Sequence, residues 1–557
     1  MERFIEKKID GEFDILIIGG GITGAAVAYD AASRGFSVAL VEKSDFGSAT
    51  SSATSKLIHG GLRYLVNLEL GLVRESLRER KTLENIAPNF VYPIANMVVT
   101  NRKNLKNNKW IIKMGMILYD ILSYDKKFTW DKSKKIPMHS SISAKKVMSV
   151  EPNVKSENLS GAAVYYDCIS IFPERLTLAF IKSAVKYGAK VANYAKVEGF
   201  LTEGGKVKGI RVRDLLKDKT VEISGRLTIN CGGPWADIVL GLARRVSEDQ
   251  KIRRSEGIHI ITKKLINEHI VTSMTPAGKH FFLIPWRGHS LIGTTDKEYI
   301  GSPDEWRVTR ESIEELIDDV NSSFGNRELL SYRDVKFAYG GLRPLVEDQT
   351  EDVYESSRKY EIYDNSTEGL DGLITVEGGK YTTSRNLAQN VMNMAAKKLG
   401  GKTRRTLTDK EYLSGCEIKD MKGFLEKMKR DNTDFSEKTV EFLSKNYGTE
   451  ARAVIDIARG GKEYSEVVNE DGEIMAEVAY AVRNEMARTL RDILFRRTGI
   501  GTLGNPGDKI LKKVASAAAR ELRWTPARMI REIASVKEVF KIPAGSGQKN
   551  KGKKNEK

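Results

Sequence analysis

Apolar and polar positions alternate in two different ways along the chain, and the change falls near residue 405. Before that point, short apolar runs typical of buried strands are interleaved with helical patterns, beginning at residues 13–42. There a strand run from Ile15 to Ile18 meets a glycine turn, an alanine-rich helix follows, and a second apolar strand ends at Glu42. The spacing predicts a β-α-β unit with two buried parallel strands.

Further apolar patterns continue this alternation as far as residue 400. Residues 69–87 place their leucines near one face and predict an amphipathic helix, and residues 173–188 begin at a proline and end at a glycine, as helices do. Residues 189–214 alternate like two paired strands around a glycine pair. Other strands and helices are predicted within 227–237, 257–295, 310–323, 335–346, 361–364 and 372–400.

The segment 101–125 is basic at first and then apolar. It starts NRKNLKNNKW and continues IIKMGMILYDIL, a run that is too short to span a bilayer. Two interpretations stay open: a helix buried in the core, or an interfacial helix with a basic shoulder that lies on a membrane.

Helical patterns dominate from residue 405 to about residue 540, with few strand signals. The pattern predicts a mixed region at 1–404, a separate helical domain at 405–540 and a basic, disordered tail at 541–557. That tail holds six lysines and one glutamate. A solvated tail with no function of its own is the expectation for such a charge run.

The glycine turn after the first strand has the spacing of a dinucleotide-binding loop. Gly19 allows a tight turn, Gly21 lets backbone N–H groups approach a pyrophosphate, and Gly24 lets helix and strand pack closely. The pyrophosphate then lies at the positive end of the helix. Glu42 follows 18 residues after Gly24, where a carboxylate accepts ribose hydroxyls. The turn alone leaves NAD and FAD open, but the glycine-rich segment 47–61 favours continued contact with a longer cofactor.

Five glycine-containing segments share one form, in which a predicted strand ends in small residues beside a polar or cationic side chain. At the carboxyl ends of strands such loops converge on one crevice. Three of them carry Arg63, Arg343 and Lys380, which would bind a small phosphorylated substrate. Each cation also has a structural explanation, as a helix-start residue, a partner of a structural carboxylate or a solvated lysine. The segments are residues 56–64, 231–235, 293–296, 340–344 and 377–383.

Bulk properties narrow the class of protein. With 40% hydrophobic and 30% charged residues, the composition is that of a soluble globular protein, and no apolar run is long enough to span a membrane. The net charge of +17 favours anionic partners, such as phosphorylated substrates or anionic lipid, and no nucleic-acid-binding signature accompanies it. Cys168, Cys231 and Cys416 are too scattered for a disulfide framework, a metal site or an iron–sulfur site, which favours a reducing cytoplasm.

Six blocks give the chain a family resemblance: GGGITGAAVAYDAASRG, VEKSDFGSATSSATSKLIHGGLRYL, CGGPW, FLIPW with IGTTD, GGLRPL and EGGKYTTSR. In this order they resemble the FAD-dependent glycerol-3-phosphate dehydrogenases. The resemblance is strong over residues 13–400 and weaker beyond. It implies an α/β fold: a Rossmann-like FAD-binding domain of the glutathione-reductase/amino-acid-oxidase superfamily, an interleaved antiparallel-sheet substrate domain and a helical C-terminal domain.

The resemblance also implies an activity and a location. Such an enzyme oxidises sn-glycerol 3-phosphate to dihydroxyacetone phosphate by hydride transfer to FAD and passes electrons to a membrane quinone. It is cytoplasmic and peripherally associated with an anionic inner membrane face. Beyond residue 400 the only cysteine is Cys416, which favours the single-subunit type over relatives with cysteine-rich C-terminal regions. The role of the helical domain stays open between acceptor contacts and homodimer formation.

The candidate site residues, some from the dinucleotide-binding motif and some implied by the family resemblance, form three groups. The catalytic group is His59, His259, Lys380 and Arg343, with one of the two histidines as the base that takes the hydroxyl proton and the choice between them open. The substrate group is Arg63, Tyr64, His259, Arg343, Arg358 and Lys380. The FAD group is Gly19, Gly21, Ile22, Thr23, Gly24, Glu42, Lys43, Ser51, Ser52, Ser55, Lys56, Leu57, His59, Gly232, Gly341, Gly379, Lys380, Tyr381 and Thr382.

Three other functions compete with this one. A glycerol-3-phosphate oxidase performs the same oxidation with O₂ as acceptor, and sequence separates the two poorly. An amine or amino-acid oxidase on the same superfold would need one arginine for a carboxylate, where this chain offers several cations. A flavin-binding or membrane-interaction protein without catalysis would not need the candidate catalytic groups.

Overall fold

The computed structural model describes residues 1–103, 107–244, 252–275, 278–325, 328–345, 359–400 and 404–543. Within them the strands are β1 (Phe13–Ile18), β2 (Val38–Val41), β3 (Leu57–Ile58), β4 (Val91–Asn101), β5 (Ser140–Ser143), β6 (Leu159–Ser170), β7 (Lys190–Ala192), β8 (Ala195–Glu203), β9 (Lys206–Asp214), β10 (Lys219–Asn230), β11 (Arg253–Thr262), β12 (Ile270–Met274), β13 (His280–Trp286), β14 (His289–Gly293), β15 (Lys297–Tyr299), β16 (Val335–Leu345), β17 (Tyr360–Asp364) and β18 (Leu373–Gly378).

Helices occupy both the mixed region and the C-terminal part. They are α1 (Ile22–Ser33), α2 (Arg63–Val66), α3 (Leu70–Ile86), α4 (Lys109–Leu122), α5 (Ala144–Val150), α6 (Pro173–Lys186), α7 (Ala236–Gly241), α8 (Arg310–Phe324), α9 (Ser384–Leu399), α10 (Met421–Asp431), α11 (Glu437–Tyr447), α12 (Ala451–Arg459), α13 (Lys462–Ser465), α14 (Ala476–Glu485), α15 (Leu490–Asp492), α16 (Asp508–Leu522) and α17 (Pro526–Phe540). A π-helical turn, Ile493–Arg497, directly follows α15.

The first sheet has the order β17-β18-β10-β1-β2-β7. All neighbours on this path are parallel except β17, which is antiparallel to β18. Helix α1 packs with α6 and α9 through small side chains such as Ala25 and Ala28, which are fully buried. Because β2 and β10 lie on opposite sides of β1, the strand order reverses beside β1, the position where such sheets bind ligands.

The second sheet has the order β15-β11-β14-β13-β12-β4-β6-β3, with β16 paired to β11 and β5 paired to β6. It is antiparallel apart from the pairing of β12 with β4. Its strands come from two separate stretches of the chain, β3 to β6 and β11 to β16, each of which lies between strands of the first sheet. The predicted fold class is therefore confirmed: a parallel nucleotide-binding sheet, an interleaved antiparallel sheet and a helical C-terminal part.

The segment 101–125 contains α4, and its burial pattern tests the interpretation as a core helix, while the membrane interpretation stays a prediction. Met116, Tyr119 and Asp120 are buried, whereas Trp110 and Met114 on another face are 68% and 72% exposed. The helix is therefore not a core helix, because its largest apolar side chains face outward. No helix in the described ranges combines the length and apolarity needed to cross a bilayer. The boundaries at 404/405 and 540/541 stay predictions.

Candidate functional site

The glycine turn after β1 is packed too tightly for side chains. A Cβ at Gly19, where φ is +103°, would lie 2.5 Å from the carbonyl oxygen of Cys231, and one at Gly24 would lie 1.9 Å from the oxygen of Gly19. Gly21 occupies the N-cap of α1 and supplies no side chain to cap it. Gly21 therefore places no side chain over the positive end of α1, which suits an anionic pyrophosphate.

The loop after β2 is bonded to this turn. Glu42 accepts from the N–H of Gly20 at 2.6 Å and from the N–H of Ser44 at 2.8 Å, and the N–H of Gly47 donates to the oxygen of Gly20 at 2.9 Å. Burial raises the pKa of Glu42, and these two N–H groups oppose that shift. Lys43 pairs with Asp304 at 2.8 Å.

The serine-rich segment joins the first sheet to the second. The Oγ of Ser51 accepts from the N–H of Ile22 at 2.9 Å, which places this segment over the start of α1. The Oγ of Ser55 hydrogen-bonds the Nε2 of His259 at 2.8 Å. A Cβ added to Gly341 would lie 3.0 Å from the Cβ of Ala53. These contacts lead from α1 to the second sheet, the path that a dinucleotide with a long second half would follow.

The remaining predicted FAD residues lie around these loops, and several are committed to protein contacts. The ammonium of Lys56 forms a buried pair with Glu174 at 2.7 Å, so this lysine fixes the loop, and its contact with FAD stays a prediction. The other predicted residues have these positions: Thr23 in α1; Leu57 in β3; Ser52, bonded to the oxygen of Ala49; Gly232, whose N–H donates to Asn230; Gly379, at φ +91°; Tyr381, whose hydroxyl donates to the oxygen of Pro173; and Thr382, which accepts from the N–H of His59.

On one face of the second sheet, candidate functional side chains lie over glycine residues. His259 in β11 pairs with Gly293 in β14 and with Tyr339 in β16. The side chains of His259 and Tyr339 therefore point to the same face of the sheet. His259 stacks on Tyr339 with ring centroids 5.0 Å apart. Arg343 lies two pairs along on that face, and its guanidinium crosses Gly257, where a Cβ would lie 1.8 Å from Nη2. His259 and Arg343 are thereby brought together.

Arg343 was predicted to follow a glycine loop, and this is wrong. Gly340 and Gly341 lie inside β16, which runs unbroken from Val335 to Leu345 and pairs with β11 throughout. The glycines serve close packing instead, because a Cβ at Gly340 would lie 2.8 Å from the ring of Trp306.

The guanidinium of Arg343 has protein partners around it. Its Nη1 lies 3.5 Å from the carboxylate of Asp296 and donates to Ser255 at 3.2 Å, and its Nη2 donates to the hydroxyl of Thr294. The guanidinium is 24% exposed. A buried carboxylate that orients a partly exposed arginine is a suitable arrangement for gripping an anion.

A second cluster gathers Arg63, Tyr64, Lys380 and His59. The ammonium of Lys380 lies 3.9 Å from the ring centroid of Tyr64 and donates to the hydroxyl of Ser76 at 3.1 Å. The guanidinium carbon of Arg63 lies 4.9 Å from the same ring. Lys380 and Arg63 both lower the pKa of His59.

The two clusters lie over the same face of the second sheet. The ring of His59 meets the edge of Phe282, with centroids 6.5 Å apart. Phe282 pairs with Gly293, which in turn pairs with His259. Phe282 and His259 are therefore two strands apart, roughly 10 Å, with a residue lacking a side chain between them. The ring of His259 lies over this glycine, since a Cβ at Gly293 would be 2.5 Å from its Cδ2.

Both histidines are held neutral. Burial, followed by Arg343 and Lys56, lowers the pKa of His259 well below its usual value. Burial is also the largest effect on His59; Arg63 and Lys380 add to it, Asp167 opposes it, and the pKa falls to about 4. In addition, the buried Nδ1 of His259 has no hydrogen-bond partner among the described residues. A neutral imidazole with a free nitrogen is the form that accepts a proton.

Sequence reasoning missed Asp167, which holds the loop of His59 in place. This buried carboxylate accepts from the hydroxyl of Tyr119 at 2.8 Å, from Arg80 at 2.5 Å and from the N–H of Gly60 at 3.3 Å. The signal was a single carboxylate inside the apolar strand pattern of β6. Such a charge in a buried strand needs partners and is seldom placed there without a role. Arg358, by contrast, lies outside the described residues.

Comparisons with known proteins agree with this geometry. A family model described as FAD dependent oxidoreductase matches residues 14–385, and one described as the C-terminal domain of alpha-glycerophosphate oxidase matches residues 379–529. The glycerol-3-phosphate dehydrogenase of Synechocystis sp. is 34% identical, with 95% of this chain and 96% of that protein covered. The aerobic glycerol-3-phosphate dehydrogenase of Bacillus subtilis is 32% identical, with 89% of each chain covered.

A solved structure extends the similarity to the fold. The glycerol-3-phosphate dehydrogenase from Bacillus halodurans, complexed with FAD, superposes with a TM-score of 0.76 at 28% identity. The superposition covers 95% of both chains.

Proposed function

Because the chain belongs to the family of FAD-dependent glycerol-3-phosphate dehydrogenases, we propose that it oxidises sn-glycerol 3-phosphate to dihydroxyacetone phosphate and passes the electrons to a membrane quinone. The family resemblance in the sequence is confirmed, and so is FAD as the cofactor. The observation that carries the proposed substrate is that two neutral histidines lie over one face of the second sheet, His259 with Arg343 and His59 with Arg63 and Lys380.

The residues of the glycine turn and the loops around it fit FAD. The N-terminus of α1 would hold the pyrophosphate, Glu42 the ribose, and the segment from Ser51 to Leu57 the second half of the molecule. The bound FAD supplies the hydride acceptor for C2 of the substrate.

Protein side chains supply the rest of the reaction. Arg343 grips the phosphate, with Arg63 and Arg358 as further cations. His259 takes the C2 hydroxyl proton at Nδ1, while its Nε2–H donates to the Oγ of Ser55 and fixes the ring. Lys380 polarises the carbonyl that forms as the proton and the hydride leave.

We expect glycerol 3-phosphate, mixed anaerobically with the holoenzyme, to bleach the visible absorbance of the flavin, because this substrate alone offers both a secondary alcohol and a phosphate. Stopped-flow absorbance measures this directly. Glycerol tests the need for phosphate, and D-amino acids test the competing oxidase class. Bleaching by D-amino acids, with none by glycerol 3-phosphate, would overturn the proposed function.

One observation favours O₂ as the acceptor instead of a quinone. The family model that matches residues 379–529 is described as part of alpha-glycerophosphate oxidase. Hydrogen peroxide released at the rate of substrate turnover would support this second candidate. Slow peroxide release beside fast reduction of a soluble quinone analogue would support the first.

The exposed face of α4 supports membrane association. Trp110, Met114, Ile117 and Ile121, called here the α4 stripe, follow helical spacing and are between 44% and 72% exposed. Lysines 109 and 113 lie exposed on the same helix. An apolar stripe flanked by cations is the pattern of a helix that lies on anionic lipid.

We expect the double variant Trp110→Ser and Met114→Ser to bind anionic liposomes about tenfold more weakly or worse, because it removes the most exposed apolar groups of the stripe. Co-sedimentation at low salt measures the binding. Leu215→Ser with Ile238→Ser is the matched control, since both of these residues are exposed elsewhere, at 45% and 46%. Equal binding by the two double variants, or no lipid binding by the parent protein, would remove the membrane proposal.

A further inference from the structure

A buried carboxylate in the FAD-binding region is held from the far end of the chain. Asp45 lies in the loop after Glu42 and is fully buried. It accepts from Nε of Arg496 at 2.6 Å and from both terminal nitrogens of Arg497 at 2.8 Å. Burial by itself would raise the pKa of Asp45, but the two guanidinium groups outweigh it and hold this pKa well below its usual range.

The loop that contains Asp45 is hydrogen-bonded directly to the glycine turn. Asp45 lies between Glu42, which accepts from the N–H of Gly20, and Gly47, whose N–H donates to the oxygen of Gly20. The loop is therefore bonded to the turn on either side of Asp45. Fixing Asp45 fixes the loop that presents Glu42.

The π-helical turn that contains Arg497 is also connected to the segment around Lys56, which would contact the second half of FAD. The carbonyl of Arg497 accepts from Nη1 of Arg175 at 2.8 Å, and Arg175 forms a bidentate pair with Glu485 at 2.8 and 2.9 Å. Arg175 directly follows Glu174, which pairs with Lys56 in the loop before β3.

Arg497 is thus shared between two buried ion clusters. Its side chain donates to Asp45 in the loop after Glu42. Its carbonyl oxygen accepts from Arg175, the residue next to the glutamate that pairs with Lys56. Loss of one member of a buried ion pair leaves the other charge uncompensated, so such a cluster tolerates little displacement. The loops at both ends of the cofactor path are coupled to one residue of the helical region.

We propose that Arg497 is a positioning residue through which the C-terminal helical region holds the FAD-binding loops in their binding conformation. By thermodynamic linkage, FAD in turn stabilises the docking of that region. The inference depends on FAD and not on which substrate is oxidised, so it stands or falls separately from the proposed function.

The variant Arg497→Lys keeps the positive charge but loses the bidentate geometry toward Asp45. Titration of FAD into the deflavinated full-length protein, followed by flavin fluorescence, is expected to show about tenfold weaker binding or worse. The matched control is Arg459→Lys, since Arg459 also forms a bidentate pair, with Asp434 at 2.9 Å, on the exposed surface of the same region. The control should bind FAD as the parent does.

Hydrogen exchange of the parent protein tests the reciprocal effect without any substitution. Amides of residues 485–497 are expected to exchange more slowly with FAD bound than without it. Unchanged exchange there, or parental FAD affinity in Arg497→Lys, would overturn the proposal. Should Arg497→Lys fail to fold, Arg175→Lys replaces it in the titration, and parental affinity in that variant would count against the proposal equally.

Discussion

Replacing His259 by Gln is expected to lower kcat by about 100-fold or more with little change in KM, which is the usual contribution of a general base. Gln keeps a donor that can reach the hydroxyl of Ser55, but it has no nitrogen that accepts a proton at neutral pH. Steady-state kinetics with glycerol 3-phosphate and a soluble acceptor measures both constants.

His59→Gln is the matched control because it removes the other neutral imidazole over the same face of the second sheet. A loss of less than about tenfold is expected there, since His59 would only border the substrate. If His59→Gln lost kcat by the larger factor while His259→Gln kept it, the roles assigned to the two histidines would be reversed. FAD content is measured in both variants, because Ser55 links His259 to the cofactor path.

Replacing Arg343 by Ala is expected to raise KM for glycerol 3-phosphate by about 100-fold, the value of a charge-assisted bidentate contact. Arg343→Lys should raise it by about tenfold, because an ammonium keeps the charge and loses the fork geometry. Glycerol, which carries no phosphate, should show similar kcat/KM with all three proteins. Near-parental kinetics for both variants would show that the phosphate is bound elsewhere.

Thermal unfolding of the Arg343 variants is a necessary control. Asp296 is only 8% exposed, and Arg343 lies 3.5 Å from its carboxylate. In Arg343→Ala this carboxylate loses a buried partner, which lowers stability as well as affinity. A rise in KM without a large fall in Tm therefore identifies the phosphate contact.

The parts of the fold that the sequence predicted well are those determined by local patterns. The strand from Ile15 to Ile18, the glycine turn and the alanine-rich helix lie next to one another in the chain, so their periodicity and spacing carry the structure. The hairpin around Gly204 and Gly205 was predicted for the same reason. Position 343 was misjudged because a glycine pair normally indicates a turn, whereas here Gly340 lies within a strand and admits the indole of Trp306.

The parts that the sequence could not predict depend on contacts between distant residues. Asp45 and Arg497 are 452 positions apart, and Gly60 and Asp167 are 107 apart. No local pattern links such pairs, because burial of an ion pair follows from tertiary packing alone. The exposure of α4 also had to come from the structure, since an amphipathic helix has the same pattern on a core as on a membrane.

If the proposed membrane association holds, the two faces of α4 set a distance between the lipid and the candidate site. One face carries the α4 stripe, and on another the hydroxyl of Tyr119 donates to Asp167, which accepts from the N–H of Gly60 directly after His59. A helix with its side chains is about 10 to 12 Å across. A lipid surface in contact with the stripe would thus lie about one helix diameter from the loop that borders the substrate. If a membrane quinone is the acceptor, as proposed, the candidate site would lie close enough to the bilayer for the quinone to be reduced without leaving the lipid.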